Sequence, residues 1–362
     1  MRQPARHDTG APHVKTLTRE CESEDWLHDR VGHGSCTLMR AGGAGDGHGT
    51  VTMRVTIIQN PHSGEGALTG AEFVTLATAA GHRATYASTE EPAAVAAALG
   101  TPADLVAIAG GDGTIRDIAR RLIGRDVAVT IVPTGTANNL AKTLGIVGDP
   151  AELIDRWAAG RRVAFDTALV RGCCGPRAMF EGAGLGPIAV TIAALTPVTA
   201  SEARPDHPEN ELKRDLKIMR EILADYPAHR CQVTLDGQDL SGDYLAIHAM
   251  NIPTIGPNVR LAPGADSSDG LFDVVRVMPG DRMALRNYLT ARLDEKHPPL
   301  ALPVTRGREL RIRWAGSRVH VDDEVWPDEE TAASGAGWSS DDGGIELEVV
   351  MSPTPLQVLI PA

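Results

Sequence analysis

An aspartate sits in the middle of the glycine turn Gly110-Gly111-Asp112-Gly113-Thr114. Backbone N–H groups of such a turn, placed at the start of a helix, can face a phosphate. A carboxylate there would repel the phosphate unless a divalent cation lay between them, so the turn predicts a metal–nucleotide site. The Gly-Lys-Ser/Thr ending of a Walker A loop is missing. The competing interpretation, a tight turn that uses its glycines for positive φ, does not explain the acid.

The turn belongs to a regular alternation of strands and helices that begins at Met53. Predicted strands cover 54–58, 83–87, 105–109 and 127–132, and predicted helices cover 68–80, 91–99, 115–122 and 137–144. This alternation is typical of a parallel, doubly wound α/β sheet, whose ligands bind beyond the carboxyl ends of the strands. Three loops, 60–64, 110–114 and 134–136, follow strands. We therefore expect them to form one site.

After Arg161 the pattern changes to short β-like runs separated by turns such as Asp236-Gly237. Such runs predict a mostly antiparallel second domain. A single helix, predicted for 210–226, interrupts them and carries its apolar residues on one face. It is interpreted as a helix packed on a sheet, and the alternative is a basic amphipathic lid or membrane-facing element.

Composition excludes several classes of protein. The net charge of −12 and the aromatic content of 4% argue against general binding to nucleic acid. Five cysteines, with Cys173 beside Cys174, suit no disulfide framework and indicate a reducing, cytoplasmic setting. No apolar run reaches transmembrane length. The best candidate, 186–200, is too short and contains Pro187.

The first 52 residues are polar and rich in glycine and histidine, and we expect a disordered extension. Met53, which precedes the first strand, is a candidate translation start. Within the extension, Cys21, His28, His33 and Cys36 have a spacing that fits no standard zinc pattern.

Three motifs in fixed order resemble the diacylglycerol kinase catalytic domain, whose superfamily includes bacterial soluble lipid kinases and the sphingosine and ceramide kinases. They are Asn-Pro-x-Ser-Gly from Asn60, Gly-Gly-Asp-Gly-Thr, and Pro-x-Gly-Thr-x-Asn from Pro133. Segments 180–186, 261–274 and 321–324 extend the resemblance. It implies a nucleotide-binding domain similar to those of 6-phosphofructokinase and NAD kinase over 53–162. A β-sandwich lipid-substrate domain over 163–350 would follow, and a last strand within 351–362 could return to the first domain.

The resemblance implies an ATP-dependent kinase that phosphorylates a lipid hydroxyl, most simply that of diacylglycerol. It implies ATP contacts at a set of loop residues: Asn60, Thr89, Gly110, Gly111, Asp112, Gly113, Thr114, Gly135 and Thr136. Thr136 is also expected to cap the following helix.

Glu324 is the implied general base, and Asp322 is its acidic neighbour. Two residues apart on an extended segment, both carboxylates should point to one face, where paired acids can raise one pKa. The alternative is a solvated acidic turn.

The resemblance also implies Mg²⁺ at two places. Asp112 would contact the Mg²⁺ of bound ATP, and Asp269, with the backbone carbonyls of Asp266 and Leu271, would hold a structural Mg²⁺. An ordinary Asp-Gly turn is the alternative for Asp269.

Four positions depart from the family pattern. Asp323 replaces the glycine of an Asp-Gly-Glu motif, and Asn139 replaces an aspartate. Arg116 and Asp117 stand where many members have Asn and Glu.

The expected partners are a lipid substrate and, transiently, a membrane surface, for a cytoplasmic protein peripheral to the membrane. No nucleic-acid partner is expected. The acceptor lipid and the oligomeric state, a homodimer included, are left open. One alternative is an NAD or sugar-phosphate kinase, which shares the Gly-Gly-Asp-Gly turn. Another is a catalytically weak nucleotide- or lipid-binding regulator, an alternative suggested by the departures from the family pattern at Asp323 and Asn139.

Overall fold

The computed structural model describes residues 52–64, 68–172, 175–201, 208–315, 318–326 and 345–362. The predicted extension lies outside the described residues apart from Thr52, and so do Cys173 and Cys174. The cysteine and histidine set at 21–36 is outside as well. Among the helices in the described ranges, none combines the length and the apolar character needed to cross a membrane.

The first domain is built on a mostly parallel sheet. Its strands are β1 Arg54–Gln59, β2 Arg83–Ser88, β3 Leu105–Gly110, β4 Ala128–Pro133, β5 Arg161–Phe165 and, from the end of the chain, β21 Leu356–Ile360. They are ordered β2-β1-β3-β4-β21-β5, and β5 is antiparallel to β21. The helices are α1 Gly70–Ala79, α2 Pro92–Gly100, α3 Asp112–Arg120, α4 Asn139–Thr143 and α5 Pro150–Asp155.

Strand β3 explains why this sheet is covered on both faces. Val106 and Ile108 point to a core shared with α2 and α3. Leu105 and Ala107 point to the other core, which α1 and Trp157 complete. A continuous apolar run, instead of alternation, is what a strand buried on both faces requires. The predicted doubly wound α/β domain is therefore confirmed.

The second domain contains antiparallel sheets. Its strands are β6 Ala168–Arg171, β7 Arg177–Met179, β8 Gly182–Leu185, β9 His229–Leu235, β10 Gln238–Asp239, β11 Gly242–Tyr244, β12 Ala246–Met250, β13 Thr254–Ile255, β14 Val259–Arg260, β15 Phe272–Val277, β16 Val304–Gly307, β17 Glu309–Trp314, β18 Val319–Val321, β19 Glu324–Trp326 and β20 Ile345–Met351. One large sheet is ordered β10-β9-β17-β20-β6-β7, with β11 paired to β9, and the other β16-β15-β12-β8-β18-β19. Strands β13 and β14 pair only with each other. The helices are α6 Pro187–Ser201, α7 Pro208–Asp225 and α8 Arg282–Leu293.

Strand β15 shows how the sheets and helices are layered. Phe272 and Val274 point into the core between the two sheets. Val275 and Val277 point to the opposite face, where α7 and α8 pack. This period of two is that of a strand between two different layers. The predicted β-sandwich is confirmed, and the helix predicted for 210–226 packs on its sheet.

The helices of the second domain and the limit of the first sheet differ from the prediction. Its described part holds α6 and α8 in addition to the single helix that was expected. The apolar run 186–200, which was the best membrane candidate, forms most of α6. This helix was not predicted because it is apolar over most of its length and therefore lacks the amphipathic period by which a helix is recognised in a sequence. The first sheet also extends past the predicted limit of 162, to Phe165, and β21 lies hydrogen-bonded between β4 and β5.

Candidate active site

The three predicted loops meet at the carboxyl ends of β1, β3 and β4. Their glycines permit close backbone contact, because a Cβ on Gly135 would overlap the Cα of Gly111. A Cβ on Gly64, which has a φ of 86°, would overlap the carbonyl oxygen of Thr134. Neither Gly110 nor Gly113 has a positive φ. The interpretation of this turn as one that uses those glycines for positive φ is therefore wrong, and close approach explains the loops better.

Side-chain hydrogen bonds hold the loops in position, between loops and within one of them. The Asn60 Nδ2 donates to the Thr114 Oγ1 at 3.2 Å, which joins the first loop to the second. The Asn138 side chain accepts from the Gly135 N–H at 3.0 Å and donates to the Gly135 carbonyl at 2.7 Å. A Cβ on Gly113 would be in van der Waals contact with Asp323 Oδ2 at 3.5 Å and Arg116 Nη2 at 3.6 Å, so this glycine lies against the side chains of the second loop's helix and the turn 322–323.

The loops line one wall of a cleft of about 740 Å³. The opposite wall comes from the second domain and includes apolar residues of α6 and α7, the 256–257 segment and the turn 322–323. Of the described residues predicted to bind ATP, Thr89 and Gly110 are outside the cleft lining. Glu324 is outside it too, and so are the described residues of the predicted structural Mg²⁺ site, 266, 269 and 271.

Asp112 is the first residue of α3 and caps a different helix. Its carboxylate accepts the backbone N–H groups of Asn139 and Leu140, at 2.9 and 3.0 Å, at the start of α4. Asn138, the residue before α4, has a φ of 50° and supplies no side-chain cap, so Asp112 takes that role. Burial raises the Asp112 pKa, although these N–H donors oppose the shift.

Thr136 does not cap α4, contrary to the prediction, because the helix begins three residues later. Its hydroxyl donates to the carboxylate of Glu211 on α7 at 2.7 Å. This hydrogen bond joins the third loop to the helix that forms the opposite wall of the cleft.

A buried charge cluster lies beside the loops. The Arg116 and Glu181 side chains are only 3% and 4% exposed and form an ion pair at 2.5 Å. Arg116 also pairs with Asp323 and lies 3.6 Å from Asp322, and Glu181 accepts from the Asn139 Nδ2 at 2.9 Å. Burial raises the pKa of Glu181 well above its ordinary value. Burial alone would lower the pKa of Arg116, but the surrounding carboxylates outweigh it and raise that pKa.

The acidic segment 322–324 is a hairpin turn and not an extended strand. Val321 of β18 pairs directly with Glu324 of β19, so Asp322 and Asp323 form the turn, and Asp322 has a φ of 56°. The prediction that Asp322 and Glu324 share one face is therefore wrong. The buried Asp322 carboxylate accepts the N–H groups of residues 180–182, while Glu324 pairs with Arg120 at 2.7 Å.

Two domain models match the chain in sequence order. Residues 54–170 match the diacylglycerol kinase catalytic domain, and residues 196–336 match the YegS C-terminal NAD kinase beta sandwich-like domain. The two matches, one after the other, relate the chain to diacylglycerol kinases and YegS-type lipid kinases. Such kinases are phosphotransferases with an alcohol group as the acceptor, and the chain falls into that enzyme class.

Proteins similar in sequence to the chain include a diacylglycerol kinase of Mycobacterium tuberculosis (strain ATCC 25618 / H37Rv). It is 24% identical over 286 residues, which cover 74% of this chain and 88% of the relative. A Klebsiella pneumoniae (strain 342) protein named "Probable lipid kinase YegS-like" is 29% identical over 215 residues, 59% of this chain and 69% of its own length. A crystal structure of a diacylglycerol kinase from Bacillus anthracis str. Sterne shares the fold, with a TM-score of 0.60 and 16% identity. That match covers 86% of this chain and 98% of the other.

In the loop expected to hold a structural Mg²⁺, protein groups contact the carboxylate of Asp269. The Asp269 carboxylate forms an ion pair with Arg306 and accepts the Leu271 N–H at 3.0 Å. Asp266 bonds its own loop, accepting the Ser268 N–H at 3.0 Å. Within the described ranges, no three His, Cys, Asp or Glu side chains come together as metal ligands. These contacts favour the ordinary Asp-Gly turn.

Several residues at the cleft were not predicted to be site residues. Arg116 and Asp323 were noted as departures, but their ion pair was not foreseen, and neither Glu181 nor Glu211 was singled out. One available signal is the spacing of Asp112, Arg116 and Arg120, which places three charges along one face of α3.

Proposed function

We propose that the chain is an ATP-dependent lipid kinase that transfers the γ-phosphate to a hydroxyl of diacylglycerol or a related lipid. One observation carries the proposal. The phosphate-type glycine loops of the first domain and an acidic turn of the second domain face the same cleft, whose remaining wall is partly apolar. The two domain matches and the names of the similar proteins support the reaction class.

The glycine loops suit a triphosphate. The loop before α3 presents backbone N–H groups at a helix N-terminus, where a phosphate is favoured by hydrogen bonds and by the helix dipole. Asn60, Thr114 and Thr136 add polar side chains to the same wall.

The carboxylates of the cleft fit the Mg²⁺ of a nucleotide complex. A Mg²⁺ of this kind needs one or two protein carboxylates beside the substrate phosphates. Asp112 and Asp323 both line the cleft, and each Asp112 oxygen accepts one backbone N–H and keeps a further acceptor site. When bound, the ion would neutralise the charge that develops on the phosphates.

The apolar part of the cleft suits a lipid acceptor. Side chains of α6 and α7 line it, namely Ile188, Ile192, Leu195, Leu212 and Met219. A polar head that carries a hydroxyl can then lie at the acidic turn while an acyl chain lies against these helices. Delivery of such an acceptor requires transient contact with a membrane surface, which we include in the proposal.

The test is a transfer assay with the purified full-length protein, Mg²⁺-ATP and dispersed diacylglycerol, with the lipid product identified by mass spectrometry. We expect a lipid phosphomonoester and equimolar ADP, both lost in Asp112→Asn. Intact ATP binding without phosphorylation of any lipid in a broad panel would contradict the proposal and favour a regulator. Formation of NADP from NAD under the same conditions would favour the NAD kinase alternative.

A further inference from the structure

Two buried histidines meet across strand β8 of the second domain. His248 on β12 and His320 on β18 are 1% and 0% exposed, and both are paired with Gly184 in the sheet register. His248 Nδ1 lies 3.0 Å from His320 Nε2. A glycine between them permits this contact, because a Cβ on Gly184 would lie 2.7 Å from His248 Nδ1. The two rings are therefore hydrogen-bonded to each other over β8.

The contacts determine which ring nitrogens carry hydrogen. His320 Nδ1 lies 3.0 Å from the Asp322 carbonyl oxygen, which can only accept, so this nitrogen is the donor. Burial lowers the pKa of His320 to about 4 and the pKa of His248 well below its ordinary value, so both rings are neutral at pH 7. Neutral His320 accepts at Nε2, and His248 Nδ1 donates to it. The hydrogen bonds thus run in one direction, from His248 through His320 to the Asp322 carbonyl.

This chain of hydrogen bonds ends at a turn with an uncommon backbone conformation. Asp322 has a φ of 56°, which is rare for residues other than glycine and needs stabilising contacts. Its N–H donates to the Gly182 carbonyl at 2.7 Å, its carboxylate accepts the N–H groups of residues 180–182, and its carbonyl accepts from His320. Because a peptide group is planar, the bond to this carbonyl also fixes the direction in which the backbone continues to Asp323.

Asp323 is the residue of the turn that contacts the first domain. Its carboxylate pairs with Arg116 of α3 and would be 3.5 Å from a Cβ on Gly113 in the central glycine loop. Asp323 lines the cleft, whereas neither His248 nor His320 does. The two histidines therefore act on the cleft through the turn and not by contact with a ligand.

We infer that His320, itself oriented by His248, is a positioning residue that holds the Asp322 peptide and thereby keeps the Asp323 carboxylate at the nucleotide loops. The inference rests on the proposed function, in which Asp323 is one of the carboxylates for the Mg²⁺ of bound ATP. Replacement of a residue that orients a metal-binding group lowers metal affinity or activity by roughly 10- to 100-fold. The two imidazoles take that role here from behind the turn.

The alternative is a role in packing alone. Val319 and Val321 point into the core between the two sheets, so His320 points to the opposite face, where α6 packs across β8 and β18. His82 is a matched control for such a role, because it is 3% exposed and does not line the cleft. It lies beside Trp157 in the core of the first domain. A variant of His82 therefore removes a buried imidazole without changing the turn.

The first measurement is the tautomer of each ring, read from ¹⁵N NMR of the full chain with labelled histidine. We expect both His248 and His320 to carry hydrogen on Nδ1, with the single-residue variants assigning the signals. Hydrogen on Nε2 of His320 would overturn the inference, because the Asp322 carbonyl would then lack its donor.

The second measurement is calorimetric binding of Mg²⁺ to the full chain saturated with a non-hydrolysable ATP analogue. His320→Leu removes both hydrogen bonds of the ring and should raise the Kd for Mg²⁺ roughly tenfold or more. His320→Asn, whose amide can donate near the Nδ1 position, should recover part of the affinity. His82→Leu should bind Mg²⁺ like the wild type. In the lipid-phosphorylation assay the Mg²⁺ requirement should follow the same order, with an unchanged KM for the lipid.

The outcomes separate this inference from the proposed function. A wild type that binds Mg²⁺ with the analogue but phosphorylates no lipid counts against the lipid kinase proposal, and the Mg²⁺ comparison still tests the histidines. The inference is overturned if His320→Leu keeps the wild-type Kd for Mg²⁺, or if His82→Leu weakens binding as much as His320→Leu does. Thermal unfolding verifies the fold of each variant. If the leucine variant does not fold, His320→Gln, whose amide lies near the Nε2 position, is compared with His320→Asn and should bind Mg²⁺ more weakly.

Discussion

Replacement of Arg116 with methionine removes the guanidinium that pairs with Glu181 in the buried cluster. The two side chains are 3% and 4% exposed, so water cannot reach the Glu181 carboxylate to replace the ion pair that it has lost. Breaking a buried pair on one side costs about 3–5 kcal/mol. Glu181 keeps the Asn139 Nδ2 as a donor, so we expect a loss of about 3 kcal/mol in the free energy of unfolding. For a chain of this size that corresponds to a Tm lower by about 6 °C.

The loss should depend on pH in a defined direction. Burial already raises the pKa of Glu181 and of Asp322, and Arg116 opposes both shifts. Without Arg116 these pKa values rise further. Between the unfolded and folded pKa values of a raised acid, the folded state binds more protons, so stability falls as pH increases. The penalty of Arg116→Met should therefore be larger at pH 7 than at pH 5.

The assay is urea unfolding followed by circular dichroism at both pH values. Arg171→Met is the matched control, because Arg171 pairs with Glu348 at 2.9 Å but is half exposed, and it should lose less than about 1 kcal/mol. The double variant Arg116→Met with Glu181→Met should recover the part of the loss that comes from the unpaired Glu181, while Asp322 and Asp323 still lack Arg116. A loss in Arg116→Met no larger than in the control, or one that grows on acidification, would refute this reasoning.

Two further predictions concern the nucleotide loops. Gly135→Ala should weaken ATP binding at least roughly tenfold, because its Cβ would overlap Gly111 and separate the loops. Gly100→Ala, which has open space around it, should bind ATP like the wild type, and equal affinities in calorimetric titration would contradict the prediction. Glu211→Gln should tighten ATP binding by up to roughly tenfold, because the Thr136 hydroxyl loses a charged competitor. An unchanged or larger Kd for ATP would show that Glu211 does not compete with ATP for the Thr136 hydroxyl.

Local patterns predicted most of the first domain. The apolar run of β3 and the glycine turn after it place a strand, a loop and a helix in sequence, and short-range signals determine all three. The convergence of the three loops followed from the rule that parallel strands end at one edge of a sheet. Capping was harder to predict, because Asp112 caps α4 from 27 residues away, while the nearby Thr136 bonds to α7 instead.

The features that were missed depend on contacts between distant segments. Arg116 and Glu181 are 65 residues apart, and nothing in either local pattern shows that they pair. The acidic residues 322–324 are compatible with an extended strand and with a turn. The pairing of Val321 with Glu324 shows that they form a turn. Helix α6 has no apolar period because it is hydrophobic over most of its length, and period is the signal that separates a helix from other apolar runs.

The measurement that tests the central claim most directly is phosphate transfer from γ-labelled ATP into a total lipid extract, with the full chain and Mg²⁺. The account predicts label in a lipid-soluble phosphomonoester, released as phosphate by a phosphomonoesterase and absent with Asp112→Asn. Label that stays in ATP, or that appears only as inorganic phosphate or in a water-soluble acceptor, would contradict a lipid kinase built on this cleft.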